Sequence, residues 1–142
     1  MFKDILLAVD VEDAGSWKKP VEVATEYARA FNSNLHIMTV VPDFGMSIVS
    51  SYFPADYEKK MVEKTTEMLH KFVKEHVSDD IHVQHIVGLG SIYEEILRVS
   101  EEISSDLIIM GTHRPKMQDY LLGPNAARVT RHAACSVMVV RD

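Results

Sequence analysis

Five short apolar runs, at residues 5–9, 35–41, 81–87, 107–110 and 137–140, alternate with four longer amphipathic stretches along the chain. No other feature of the sequence narrows the fold as far. Each run is rich in β-branched or long aliphatic side chains and is short enough for a strand. ILLAV at 5–9 and LIIM at 107–110 lack polar alternation, as strands buried on both faces of a parallel sheet do. The order reads β-α-β-α-β-α-β-α-β, which predicts an α/β layered fold with a parallel sheet and right-handed crossovers.

The amphipathic stretches read as helices. Residues 16–31 place Val21, Ala24, Ala28 and Phe31 at three- and four-residue spacing. Pro20 is expected in the first turn of that helix, where a missing N–H does least harm. Residues 57–77 put Met61, Thr65, Met68, Leu69 and Phe72 on one stripe, and the methionines there read as core. Residues 91–103 open with Ser91-x-x-Glu94, the pattern of a capping box. Residues 124–134 carry Ala126, Val129 and Ala133 along one side. The 142 residues fit one domain, 1–142, and leave no room for two good cores. Residues 42–55 form the longest irregular stretch, either an ordered flap over a pocket or a surface loop.

The formal charge of −6 argues against a general nucleic-acid binder. No apolar run approaches the length that spans a bilayer, and the start MFKDILLAVD does not read as a secretory signal. One cysteine, Cys135, precludes an internal disulfide and fits a reducing cytoplasm. Charge is unevenly spread: between Gly111 and His132, Arg114, Lys116, Arg128 and Arg131 face Asp119 alone. Such a segment is either a solvated basic face or an anion site.

In open α/β sheets, ligands bind beyond the carboxyl ends of strands where the strand order reverses. Candidates are therefore the strand-ending residues: Asp10, Val40 to Pro42, Gly88 to Ser91 and Gly111 to Arg114. Asp10 is either a turn acceptor or an acceptor for a ligand's N–H and hydroxyl groups. Gly123-Pro124-Asn125 looks like a helix entry, with Gly123 as N-cap and Pro124 as N1. The amides of Asn125 and Ala126 then lack intrahelical partners and face an anion at the positive end of the helix dipole. Arg114 would add a charge-assisted fork, and Gly111 lets the backbone come close. Arg128 and Arg131 share a helix face and read as exposed.

Signs of catalysis are sparse. His82 and His85 are three apart on an expected strand, so they face opposite sides and cannot share a metal. His36, His70 and His76 read as isolated surface or boundary residues. No Cys pair, HExxH or Walker pattern is present. His113, at a strand end beside the anion loop, is either a hydrogen-bonded loop residue or the one histidine worth testing for chemistry.

Taken together, KDILLAVD, LHIMTVV, GSIYEEIL, DLIIMGTH and YLLGPNAARVTRHAACSVMVV resemble the universal stress protein family over essentially the whole chain. Nucleotide-binding members carry Gly-x2-Gly-x9-Gly-Ser/Thr. Gly111 and Gly123 match the first and third glycines; Arg114 replaces the second, the following gap is one residue shorter, and Pro124 replaces the Ser/Thr. The Gly-x-His-Arg-Pro form of the loop resembles a subset of the family. The resemblance implies a Rossmann-like, five-stranded parallel sheet of order 3-2-1-4-5 with helices on both faces. It also implies ATP, with or without Mg2+, between the ends of the first and fourth strands. Adenine would meet Ala8, Val9, Asp10 and the backbone near Val40. Ribose and phosphates would meet Met110, Gly111, His113, Arg114, Gly123, Pro124, Asn125 and Ala126. A homodimer through the last strand, residues 136–141, is implied as well. The nucleotidyl-transfer motif HxGH of the wider superfamily is absent. The expectation is a cytoplasmic regulator or sensor with at most slow ATPase or self-phosphorylating activity. The alternative is a nucleotide-free interaction module whose phosphate loop has been degraded by Arg114 and Pro124.

Overall fold

The computed structural model describes residues 1–42, 56–112 and 123–141. Within them the chain runs β1 (Asp4–Ala8), α1 (Ala14–Phe31), β2 (Asn34–Pro42), α2 (Tyr57–His76), β3 (Val83–Gly90), α3 (Ile92–Glu102), β4 (Leu107–Gly111), α4 (Pro124–His132) and β5 (Ser136–Val140). All pairings are parallel, and the strand order is β3-β2-β1-β4-β5. The expected alternation and the expected order 3-2-1-4-5 are both present. Most of the proposed flap, residues 43–55, lies outside the described residues, as do His113 and Arg114.

The unbroken apolar runs follow from burial on two sides. Ile5 and Leu7 point to one face of β1 and Leu6 to the other, and all three are fully buried. The first face packs against α1 and α2 through Val21, Ala24, Leu69 and Phe72. The second packs against α3 and α4 through Ile96, Val99, Ala126 and Val129. Each helix therefore buries one stripe, and the central strands β1 and β4 bury both faces. Trp17 of α1 closes the first layer against α2: its ring meets Phe72 edge-on, with centroids 4.8 Å apart, and lies 4.4 Å from the His76 ring.

Three local expectations need correction. First, α1 begins at Ala14, so Pro20 lies inside the helix and not in its first turn. A proline there has no N–H for the carbonyl four residues earlier and its ring crowds that carbonyl. The carbonyl is that of Ser16, and both it and the Pro20 ring lie against Gly111. Second, Ser91 does cap α3, but its side chain makes no capping bond. The carboxylate that reaches back belongs to Glu95, which accepts the Leu89 N–H at 3.1 Å. Third, β3 starts at Val83 and continues to Gly90, because β2 offers a partner at every position up to Pro42. His82 thus precedes the strand.

Candidate functional site

The carboxyl ends of β1 and β4 are adjacent at the centre of the sheet, where the strand order reverses. A cavity of about 470 Å³ opens there, within the range of about 300–1,000 Å³ usual for small-molecule sites. Ala8, Val9, Asp10, Val40, Met110, Gly111, Gly123, Pro124, Asn125 and Ala126 all line it. Of the other strand-ending candidates, Val41 and Thr112 line it too, whereas Gly88, Leu89, Gly90 and Ser91 do not, because β3 ends at the sheet edge, beyond β2.

The α4 side of the cavity is a helix entry. Gly123 is the N-cap with extended backbone (φ −64°, ψ 158°), and Pro124 opens the helix. The Ala127 N–H donates to the Gly123 carbonyl at 2.9 Å, closing the first helical turn. The amides of Asn125 and Ala126 precede that bond, so they have no intrahelical acceptor. A serine or threonine cap would engage one of them itself; glycine has no side chain with which to do so. The two N–H groups stand at the positive end of α4. Arg128, one turn on, lies over the Tyr93 ring of α3, 4.9 Å from its centroid. It is exposed, as expected.

The β1 side is acidic. Asp10, Glu12 and Asp13 line the cavity. Asp10 Oδ1 accepts the Glu12 N–H at 3.1 Å, and the Asp13 N–H donates to the Asp10 carbonyl at 3.1 Å. Asp10 is thus a turn acceptor with its second carboxylate oxygen uncommitted by that bond. Ser16 Oγ donates to the Asp13 carbonyl at 2.7 Å and fixes the entry of α1. Gly111 has a structural reason to be glycine: a Cβ there would sit 2.3 Å from the Ser16 carbonyl oxygen and 2.9 Å from Pro20 Cγ.

A third wall was not foreseen. Met61, Lys64, Thr65 and Met68 of α2 line the cavity. The two methionines are half-buried, while Leu69 and Phe72 further along the stripe are core. Apolar spacing alone carries no signal for this, since the same stripe serves core at one end and cavity wall at the other. Lys64 is the sole lysine or arginine among the described lining residues.

The histidines also differ from expectation. His36 is buried at 8% exposure; its Nε2 meets Asp4 Oδ1 at 3.0 Å and its Nδ1 meets Gln84 Oε1. His70 stacks on His85, and His76 packs on Trp17 and Phe72. None of the three is isolated, because strand register and helix packing bring partners that sequence spacing does not reveal. Among the described residues, no group of three or more His, Cys, Asp or Glu side chains is placed to hold a metal.

The profile of the Universal stress protein family matches residues 1–141. The chain belongs to the universal stress protein family. Universal stress protein G of Escherichia coli O157:H7 is 31% identical over 144 residues, covering 99% of this chain and 100% of the relative. Among solved structures, protein MJ0577 superposes with a TM-score of 0.74 at 24% identity, covering 100% of this chain and 97% of its own; the protein of that name comes from Methanocaldococcus jannaschii. A universal stress protein in complex with cAMP superposes with a TM-score of 0.63 at 16% identity, covering 99% and 97%. At these identities the two structures establish the shared fold. No helix among the described residues is long and apolar enough to cross a membrane.

Proposed function

We propose that this chain is a cytoplasmic regulator or sensor that binds ATP at the β1/β4 switch point and works as a homodimer paired through residues 136–141. One observation carries the reading. The acceptor at the end of β1 and the uncapped amides at the entry of α4 line the same cavity, with an apolar slot between them. A flat base bearing an amino group suits the Asp10 end and the slot; phosphate suits the α4 end. The structural relative solved with cAMP supports an adenine nucleotide as the ligand class. Mg2+ would arrive with the phosphates, since it is commonly held by one or two carboxylates plus substrate oxygens. Of the assigned residues, His113 and Arg114 would complete the phosphate end. The role requires binding and release, with no efficient catalytic step.

Calorimetric titration with Mg-ATP tests this directly. Saturating binding should raise stability by about 2.7 kcal/mol at a hundredfold excess over Kd. Absence of both heat and a thermal shift at millimolar nucleotide overturns the reading.

The second reading, an interaction module without nucleotide, is favoured by Pro124, which removes one N–H and one hydroxyl from the cradle, and by the steric origin of Gly111. Pro124→Ser separates the two. If serine creates or strengthens binding by about 1–2 kcal/mol, the native cradle is compromised; tight binding unchanged by the substitution excludes the module.

A further inference from the structure

On the α2 side of the sheet, away from the cavity, two imidazoles lie flat on each other. His70, in the second half of α2, and His85, in β3, have ring centroids 3.7 Å apart and planes 18° from parallel. They border a groove over the start of β2 and β3 that His36 and His82 also line, and no Asp, Glu, Lys or Arg among the described residues lines it. His36 is engaged on the opposite sheet face: its register partner is Gln84, whereas His85 pairs with Ile37. Asp4, which meets His36, is held on that opposite face, and Asp80, shortly before β3, is paired with Arg29. Along α2, Glu67 and Lys74 stand three residues before and four after His70, with opposite charges. From α3, Glu95 and Arg98 pair with each other.

Two neutral imidazoles stack without electrostatic penalty, and one imidazolium over a neutral ring remains attractive. A second proton puts like charges at stacking distance, with no carboxylate in the groove to offset them. We propose that the His70–His85 stack is a proton-operated latch, holding α2 on β3 and releasing it when the pair takes up its second proton. Burial, and then the neighbouring His70, hold the His85 imidazole below the usual histidine range. The sign follows from proton counting. Above the ordinary histidine value of about 6.5 neither the folded nor the unfolded chain binds the proton, and the latch is closed. As pH falls below it, the unfolded or undocked state gains protons that the closed stack refuses, so docking weakens. The same helix supplies Met61, Lys64, Thr65 and Met68 to the cavity wall. Control of a nucleotide by the latch therefore rests on the function proposed above; the latch itself does not.

The test uses the full chain without ligand. Ring-proton NMR of the wild type should find His85 titrating below the ordinary histidine value, and His70→Phe should move its midpoint part of the way back up. Hydrogen exchange, corrected for intrinsic rates, should show α2 losing several-fold more protection than α1 or α3 between pH 7.5 and 5.5. In His70→Phe/His85→Phe, where rings still stack but bind no proton, that excess should vanish. A His85 midpoint indifferent to His70→Phe, or an excess loss in α2 that persists in the double variant, overturns the latch. Should the double variant fail to fold, the wild type decides alone: protection lost uniformly, or not lost, overturns it too.

Discussion

Gly111 has a packing role as well as the proposed ligand role, and its neighbours separate the two. The space where a side chain would go is filled by the Ser16 carbonyl and the Pro20 ring. Both contacts are to groups that cannot swing aside, so α1 or β4 must shift to admit a methyl. Gly111→Ala should therefore destabilise the fold by about 1–3 kcal/mol, as overpacking typically does, measured by urea unfolding without any nucleotide present. A neutral result would mean that the α1 contact is loose and that glycine is there for a ligand alone. The reading of Gly111 as a point of close backbone approach was available in the sequence. The identity of what approaches was not, because it depends on how α1, which begins two residues earlier than its spacing suggested, packs across the end of β4. Asp10 behaves similarly. Its place at a strand end was legible, but its bond to the Glu12 amide depends on how the chain turns after β1.

At the scale of elements, the junction of β3 and α3 is tied by one carboxylate. Glu95, with its side chain 15% exposed, accepts from the Leu89 N–H and takes a two-pronged contact from Arg98 at 2.9 and 3.0 Å. Arg98 first, then the Leu89 amide, hold the Glu95 carboxyl below its usual range. A depressed carboxylate stabilises the fold above its unfolded value of about 4.3 and loses that contribution as pH falls toward the folded value. Glu95→Gln should thus cost about 1 kcal/mol at neutral pH, with half-exposed Arg98 limiting the loss. The gap to wild type should close between about pH 5 and 3 in a urea series. A gap independent of pH would show that packing over Gly88, not charge, is what the carboxylate supplies. The helices themselves were readable from apolar spacing, and the entry of α4 from Gly123 and Pro124. The glutamate that holds α3 was misassigned by one position, since the capping-box pattern counts residues and does not see that Leu89 needs an acceptor. The α2 wall of the cavity was missed for a related reason: periodicity identifies a buried stripe but not whether sheet or empty space lies opposite its upper end.

For the whole molecule, the topology was legible because five apolar runs and four amphipathic ones admit few arrangements, and the family resemblance selected one. The sheet has two edges, β3 and β5. On β3, Glu95 satisfies an edge amide internally. On β5, the residues from Val137 to Val140 are only half-buried. An apolar edge strand left in this state suits the pairing that the proposed dimer requires. Sedimentation should accordingly give twice the 16.1 kDa chain mass at micromolar concentration, and a single species at the chain mass would remove the proposed dimer. The seam between α1 and α2 offers a different opportunity. Trp17 is the chain's one tryptophan, and it rests on Phe72 and His76 with 9% of its surface exposed. Its emission spectrum is thus a label-free gauge of how firmly the second helix is seated, readable in dilute solution and in real time.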